Sequence, residues 1–184
     1  KLFNLGYNID FVGSLTSGIG TDYDRDHEGH GGWGAYRSTN PATSLKDHLN
    51  DFLAANPPDI IILHIGTNDL SDNGADFDTP ESLADEVRDL LNIIHNFNPN
   101  ISTVLARIIN RAPHHQRTTD FNVELQHRAD SLISLGRKIY VVDMESALNY
   151  IIENDGLPFT GDMNDFLHPN DNGFMKMLFG SLES

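Results

Sequence analysis

Ile60-Ile61-Ile62-Leu63-His64-Ile65-Gly66-Thr67-Asn68-Asp69 decides the fold. A nearly unbroken aliphatic run of strand length follows Pro57-Pro58 and empties into Gly-x-Asn-Asp. Such a run predicts a strand buried on both faces, as strands of parallel sheets are. In an open α/β sheet, ligands bind at the carboxyl ends of the strands. Here that end carries a glycine backbone, a side-chain amide and a carboxylate.

On either side of this strand the hydrophobic period changes. Upstream, Ser44 begins a predicted helix through Ala55, with Leu45, Leu49, Phe52 and Leu53 on one face. Downstream, residues 71 to 79 are polar, and Pro80 sits at a helix start whose apolar face is Leu83, Val87, Leu90, Leu91 and Ile94. A strand from Ile101 to Ile108 follows, with Arg107 unusual inside it. Then come a helix over 120 to 135 closed by Gly136, a strand over 139 to 143, and helices over 145 to 154 and 172 to 182. Near the start, Ile9 to Gly13 reads as a short strand, and residues 14 to 43 form a long polar, Gly-rich connection. The alternation of strands and helices predicts one α/β domain over residues 1–184, a parallel sheet flanked by helices.

Bulk composition narrows the functions. At 184 residues the chain buries roughly 70% of its unfolded surface, enough for a core without staples. The formal charge of −15, from 12 basic against 27 acidic residues, argues against nucleic acid and acidic lipid surfaces. Neutral or cationic partners, such as uncharged saccharide esters, stay open, beside the plainer reading that acidity aids solubility. No apolar stretch approaches the ~20 residues that span a bilayer. Cysteine is absent, which excludes disulfides, thiolate catalysis and Cys-based zinc sites. No signal segment is visible. Lys1-Leu2-Phe3-Asn4-Leu5-Gly6 reads as the last turn of an amphipathic helix ended by Gly6, so the expectation is an N-terminal truncation that could have removed a targeting segment.

Three stretches carry chemistry. In Asp165-Phe166-Leu167-His168 the spacing lets a carboxylate fix the tautomer of an imidazole in its own loop, two thirds of a hydrolytic triad. With nine histidines in the chain, such a pattern also arises by chance. Asn68 is placed either to donate to a developing oxyanion or to cap the next turn. In His27-Glu28-Gly29-His30-Gly31-Gly32-Trp33, the glycines let a carbonyl approach the backbone. Trp33 offers a wall for a sugar or acyl group, or simply packs. Zinc at His27-x-x-His30 is disfavoured, because the glycines oppose the helix that zinc proteases use. Asp22, Asp24 and Asp26 alternate as calcium ligands do but lack the turn glycine and the distal glutamate. Calcium there stays open beside a solvated acidic loop. His114-His115 reads as surface.

Taken together, these motifs resemble the SGNH (GDSL-type) hydrolase family. His27 to Trp33, with Ile9-Asp10-Phe11-Val12-Gly13-Ser14 before it, is similar to the second block of its acetyl-xylan-esterase-like branch, carbohydrate esterase family three. Gly66 to Asp69 resembles the third block and Asp165 to His168 the fifth, in the right order over nearly the whole chain. The resemblance implies a flavodoxin-like three-layer αβα sandwich. It assigns His168 as general base, Asp165 as its orienter, and Gly32 N–H with Asn68 as oxyanion donors. His30, Trp33, Gly66 and Asp69 become substrate-side residues. It further implies a small acetylated ester or saccharide substrate, no required cofactor and an extracellular location.

The chain departs from the family in one respect. No Gly-Asp-Ser, the block that bears the nucleophile, occurs in the 184 residues. Ser14 and Ser71 do not replace it, and the block is expected upstream of Lys1. Weak or no hydrolysis is therefore expected, with a non-catalytic saccharide- or calcium-binding pseudo-esterase as the alternative. The family's first strand lies inside the sheet. Its loss predicts that the strands at 9–13 and 60–65 pair directly, or that a neighbour's strand fills the gap in a homo-oligomer.

Overall fold

The computed structural model describes residues 8–18, 24–71, 76–153 and 160–179. At its centre is a parallel sheet of β3 (Ile60–Leu63), β4 (Ser102–Arg107) and β5 (Ile139–Asp143), in the order β3-β4-β5. Parallel neighbours need long crossovers. These are α2 (Pro80–Phe97) between β3 and β4, and α3 (Gln116–Ser134) between β4 and β5. Before the sheet come β1 (Leu15–Thr16), β2 (Asp26–His27) and α1 (Leu45–Ala55), and α4 (Asp171–Phe179) closes the described chain. The fold is the expected α/β type, a parallel sheet with helices.

Helix α2 forms where the sequence places its signals. Thr79 caps it reciprocally with Ser82, Pro80 occupies the first turn, and Leu83, Ala84, Val87, Leu90, Leu91 and Ile94 are buried. Its apolar face packs with α3 residues Phe121, Leu125, Ala129 and Leu132, and with Leu49 and Leu53 of α1. Registers Ile61↔Thr103↔Ile139 and Leu63↔Leu105↔Val141 put these strand residues on the face towards that core.

The other face differs from expectation. Ile60 is 63% exposed, Ile62 68% and Tyr140 59%. The register sets Ile62 beside Val104 and Val104 beside Tyr140, an apolar row across all three strands. Among the described residues, the run at 60–65 is therefore an edge strand four residues long rather than one buried on both faces.

Two further expectations are corrected. Residues 9–13 form no strand, and Ile9, Phe11 and Val12 are exposed. Direct pairing with β3 does not occur. The Phe11 N–H donates instead to Asp24 Oδ2, and Ser14 N–H to Glu28 Oε2 at 2.9 Å. Side-chain carboxylates there satisfy backbone donors that a strand would have paired. Residues 145–153 are not helical either. Asp143 draws the Ser146 N–H and hydroxyl back into a turn at 3.2 and 2.9 Å. The Met163 N–H then donates to Ile151 O at 3.1 Å and the Glu153 N–H to Met163 O at 2.8 Å, an extended pairing that replaces the helix. Helix α3 begins four residues before the expected 120. The predicted helical turn at Lys1–Gly6 lies outside the described residues.

Candidate active site

Beyond β3 the chain turns through Gly66, whose φ of +120° is open to glycine and strained for other residues. A Cβ there would also lie 3.0 Å from the Phe121 ring. The turn runs through Thr67 and Asn68 into a 3-10 turn, Asp69–Ser71. Gly66 and Asp69 are both buried, so they shape the loop from beneath. Asn68 is half-buried and donates one Nδ2 hydrogen to Trp33 O at 2.8 Å. The amide has a second hydrogen to offer. Asp69 Oδ1 accepts the Ala35 N–H at 2.7 Å. Two adjacent side chains thus lash the Trp33–Ala35 backbone to the exit of β3. Gly34 must be glycine for this approach, since a Cβ would lie 2.4 Å from Asp69 Oδ1. Gly32, one residue before Trp33, is exposed with φ +82° and open space beside it.

The Asp165–His168 loop precedes α4. Asp165 Oδ1 accepts the Leu167 and His168 N–H groups, each at 2.7 Å, and Oδ2 lies 2.9 Å from His168 Nδ1. A carboxylate only accepts, so Nδ1 carries the hydrogen and the neutral ring leaves Nε2 as its basic nitrogen. The backbone donors of His168 and Leu167, with the imidazole third, hold the Asp165 carboxyl down at about 2. His168 is 67% exposed, which leaves Nε2 accessible.

What joins this loop to the other two is a segment that sequence reasoning missed. Arg111 donates through one terminal nitrogen to Thr67 O at 2.9 Å and Ser71 Oγ at 2.6 Å. Next to it, the Ala112 N–H donates to Phe166 O at 3.0 Å. Arg111-Ala112 therefore bridges the exits of β3 and β4 to the His168 loop, and the expected groups share the carboxyl end of the sheet. Asn110 supports the bridge: its Oδ1 accepts the Arg111 and His115 N–H groups at 2.8 and 2.7 Å. Its amide donates to Glu145 Oε1 at 2.8 Å. Glu145 also accepts from Asn122 at 2.9 Å and pairs with Arg107 at 3.5 Å. The one sequence signal here was Arg107, a charge inside a strand.

Elsewhere the predicted residues are engaged as follows. His30 stacks on Trp33 at 4.1 Å and on Phe52 at 5.1 Å, with Nε2 2.6 Å from Glu28 Oε1. Trp33 is half-buried among His30, His48 and Phe52, so much of the ring packs on α1. His27 Nδ1 accepts the Gly29 N–H at 3.0 Å and Nε2 is buried. Ser14 donates to Glu28 and Ser71 to Thr67 O. Asp22 lies outside the described residues. Asp24 spends its oxygens on the Phe11 and Asp26 N–H groups. Among the described residues, the group of three carboxylates close enough to share a cation is another: Asp69, Asp78 and Glu86. Burial first, then the neighbouring carboxylates, pushes Glu86 up to about 8. Burial likewise raises Asp69 to about 6 against the opposing Ala35 hydrogen bond.

Known proteins resemble this chain in sequence profile and in fold. The profile of the GDSL-like lipase/acylhydrolase family matches residues 10–175. An acetyl esterase mutant solved with an acetate ion superposes with a TM-score of 0.75 at 21% identity, covering 98% of this chain and 82% of the other. A carbohydrate esterase family 3 structure from Talaromyces cellulolyticus gives 0.75 at 21%, covering 96% and 81%. A family 3 carbohydrate esterase from Clostridium thermocellum gives 0.69 at 26%, covering 96% and 76%. No curated protein matches in sequence.

Proposed function

Because the chain belongs to the GDSL-like lipase/acylhydrolase family, we propose that its site binds small acetyl esters of carbohydrates and retains the base and oxyanion side of ester hydrolysis. The observation that carries this reading is the Asp165–His168 pair, tied through Ala112 and Arg111 to the loop of Asn68. The similarity to family 3 carbohydrate esterases supports the acetylated-saccharide class.

Chemistry follows from the tautomer. Asp165 keeps the proton on Nδ1, and Nε2 takes the proton of an attacking nucleophile. The Asn68 amide and the Gly32 N–H stabilise the oxyanion, each such donor being worth about 10²–10³ in rate. No Gly-Asp-Ser is present in the 184 residues, and Ser14 and Ser71 are tied to other partners. For these 184 residues by themselves, the nucleophile open to Nε2 is water. Its oxygen bonds the acyl carbon as its proton passes to Nε2. The acyl C–O bond to the sugar then breaks, and the imidazolium gives that proton to the departing alkoxide oxygen, releasing the sugar hydroxyl and acetate. No cofactor enters. Binding and oxyanion stabilisation alone leave roughly 10³–10⁴-fold over the uncatalysed reaction.

The test is hydrolysis of p-nitrophenyl acetate and release of acetate from acetylated xylan. Slow turnover lost in His168→Ala and reduced in Asn68→Ala is expected. Turnover at the rates of an intact serine esterase would refute the water mechanism and demand a nucleophile among these residues. Activity indifferent to His168→Ala would refute the site, and saccharide binding without any turnover would make the domain a binding module.

A further inference from the structure

We propose that Asp69, Asp78 and Glu86 form a buried site for a hard divalent cation, with calcium the ion that fits. The three come from separate elements: the turn after β3, the residue before the cap of α2, and the second turn of α2. One oxygen from each lies within 4.8 Å of the other two. Calcium takes oxygen at 2.3–2.6 Å, so oxygens on opposite sides of the ion stand about 4.6–5.2 Å apart. Magnesium demands near-ideal octahedral geometry and dehydrates reluctantly, so three side-chain carboxylates from separate elements suit calcium better. The donors are all carboxylates, which favours hard ions over zinc or copper.

An independent observation points to a ligand. Asp69 is 1% exposed, and its Oδ2 is sealed from solvent without a hydrogen-bond donor. Glu86 Oε2 is sealed in the same way. Buried carboxylate oxygens normally find donors or a cation. Cationic side chains also stand around the group, among them Arg117, which donates to the Asp78 carbonyl. Arg37 flanks Asp69, and Lys46 is paired with Asp89 at 2.9 Å. Ser82 gives Asp78 Oδ1 one hydroxyl at 2.7 Å. A divalent ion would give the sealed oxygens of Asp69 and Glu86 the partner they lack.

The ion would clamp the β3 exit to α2. Because Asp69 Oδ1 also holds the Ala35 N–H, the clamp would fix the Trp33–Ala35 strap and with it Asn68. Occupancy of the site does not depend on the esterase reading, so the two can fail separately.

The full chain, stripped with chelator, is titrated with CaCl2 or MgCl2 by calorimetry and by thermal unfolding. The expected result is saturable calcium binding with a higher Tm and weaker binding of magnesium. Glu86→Gln, which keeps the side chain's size while removing an anionic ligand, and Asp78→Asn should each weaken calcium binding at least about tenfold, since affinity follows ligand charge. Asp24→Asn should leave it unchanged. Absence of heat and of any Tm shift with either salt overturns the proposal. So does a calcium response that survives both Glu86→Gln and Asp78→Asn, or one that Asp24→Asn removes.

Discussion

Asp165 serves two purposes with one carboxylate. It anchors two backbone N–H groups of its own loop and fixes the His168 imidazole. Those contacts favour the charged form, which places its carboxyl near 2 instead of 3.8. A depressed folded pKa contributes stability at pH above the unfolded value, and that contribution is lost as pH falls through the folded one. The loop is therefore expected to keep its structure from neutral pH down to about 4 and to loosen towards pH 2. Carboxyl carbon shifts followed by NMR should place the Asp165 midpoint near 2, and a midpoint near 3.8 would show that the contacts do not persist in solution. Asp165→Ala, which removes the acceptor, should lose amide protection at His168 even at neutral pH. This pair was legible in the sequence because its partners stand three residues apart. Arg111 was not, since its contacts to Thr67 and Ser71 reach back 44 and 40 residues and no local pattern records them.

Among the elements, the hinge between β3 and its exit loop bears most on the site. Gly66→Ala would force a left-handed φ on a residue with a side chain and press a methyl against Phe121 and Leu83. About 1–3 kcal/mol of destabilisation is expected from the strain alone, read as a lower urea midpoint with an unchanged slope. The displaced turn should also shift the amide resonance of Asn68. Thr79→Ala, which removes one half of the α2 capping box, should cost about 1 kcal/mol and leave Asn68 undisturbed. A larger loss from Thr79→Ala than from Gly66→Ala would contradict this ranking. Strand β5 matches its sequence prediction at both ends, because Ile139 to Asp143 lies between Gly136 and a polar turn and carries its own period. The stretch after it failed as a helix for a reason outside any local window. Asp143 captures Ser146, the Tyr150 hydroxyl donates to Glu145 O at 2.7 Å, and Met163 pairs with residue 151, twelve positions away. Helical propensity is a weak prior against tertiary partners of that kind.

Over the whole molecule, two features oppose each other. The sheet shows an apolar row of Ile62, Val104 and Tyr140 on one face, and among the described residues β3 is an edge strand. An exposed edge strand with apolar neighbours invites pairing with another chain. Against that, each copy carries a net charge of −15, and like charges repel on approach. Salt shifts the balance in one direction: the screening length falls from about 10 Å at 0.1 M to about 3 Å at 1 M, while apolar contact survives. Sedimentation velocity is therefore expected to show monomer at low salt and growing self-association as sodium chloride is raised. Ile62→Lys should hold the chain monomeric at high salt, because it puts a charge on the row and on the edge strand at once. Phe97→Lys, another exposed apolar position, at the C-terminal end of α2, should not. Association that weakens with salt would mean that charge, and not the apolar row, joins the copies. Association that persists in Ile62→Lys would place the interface elsewhere on the molecule.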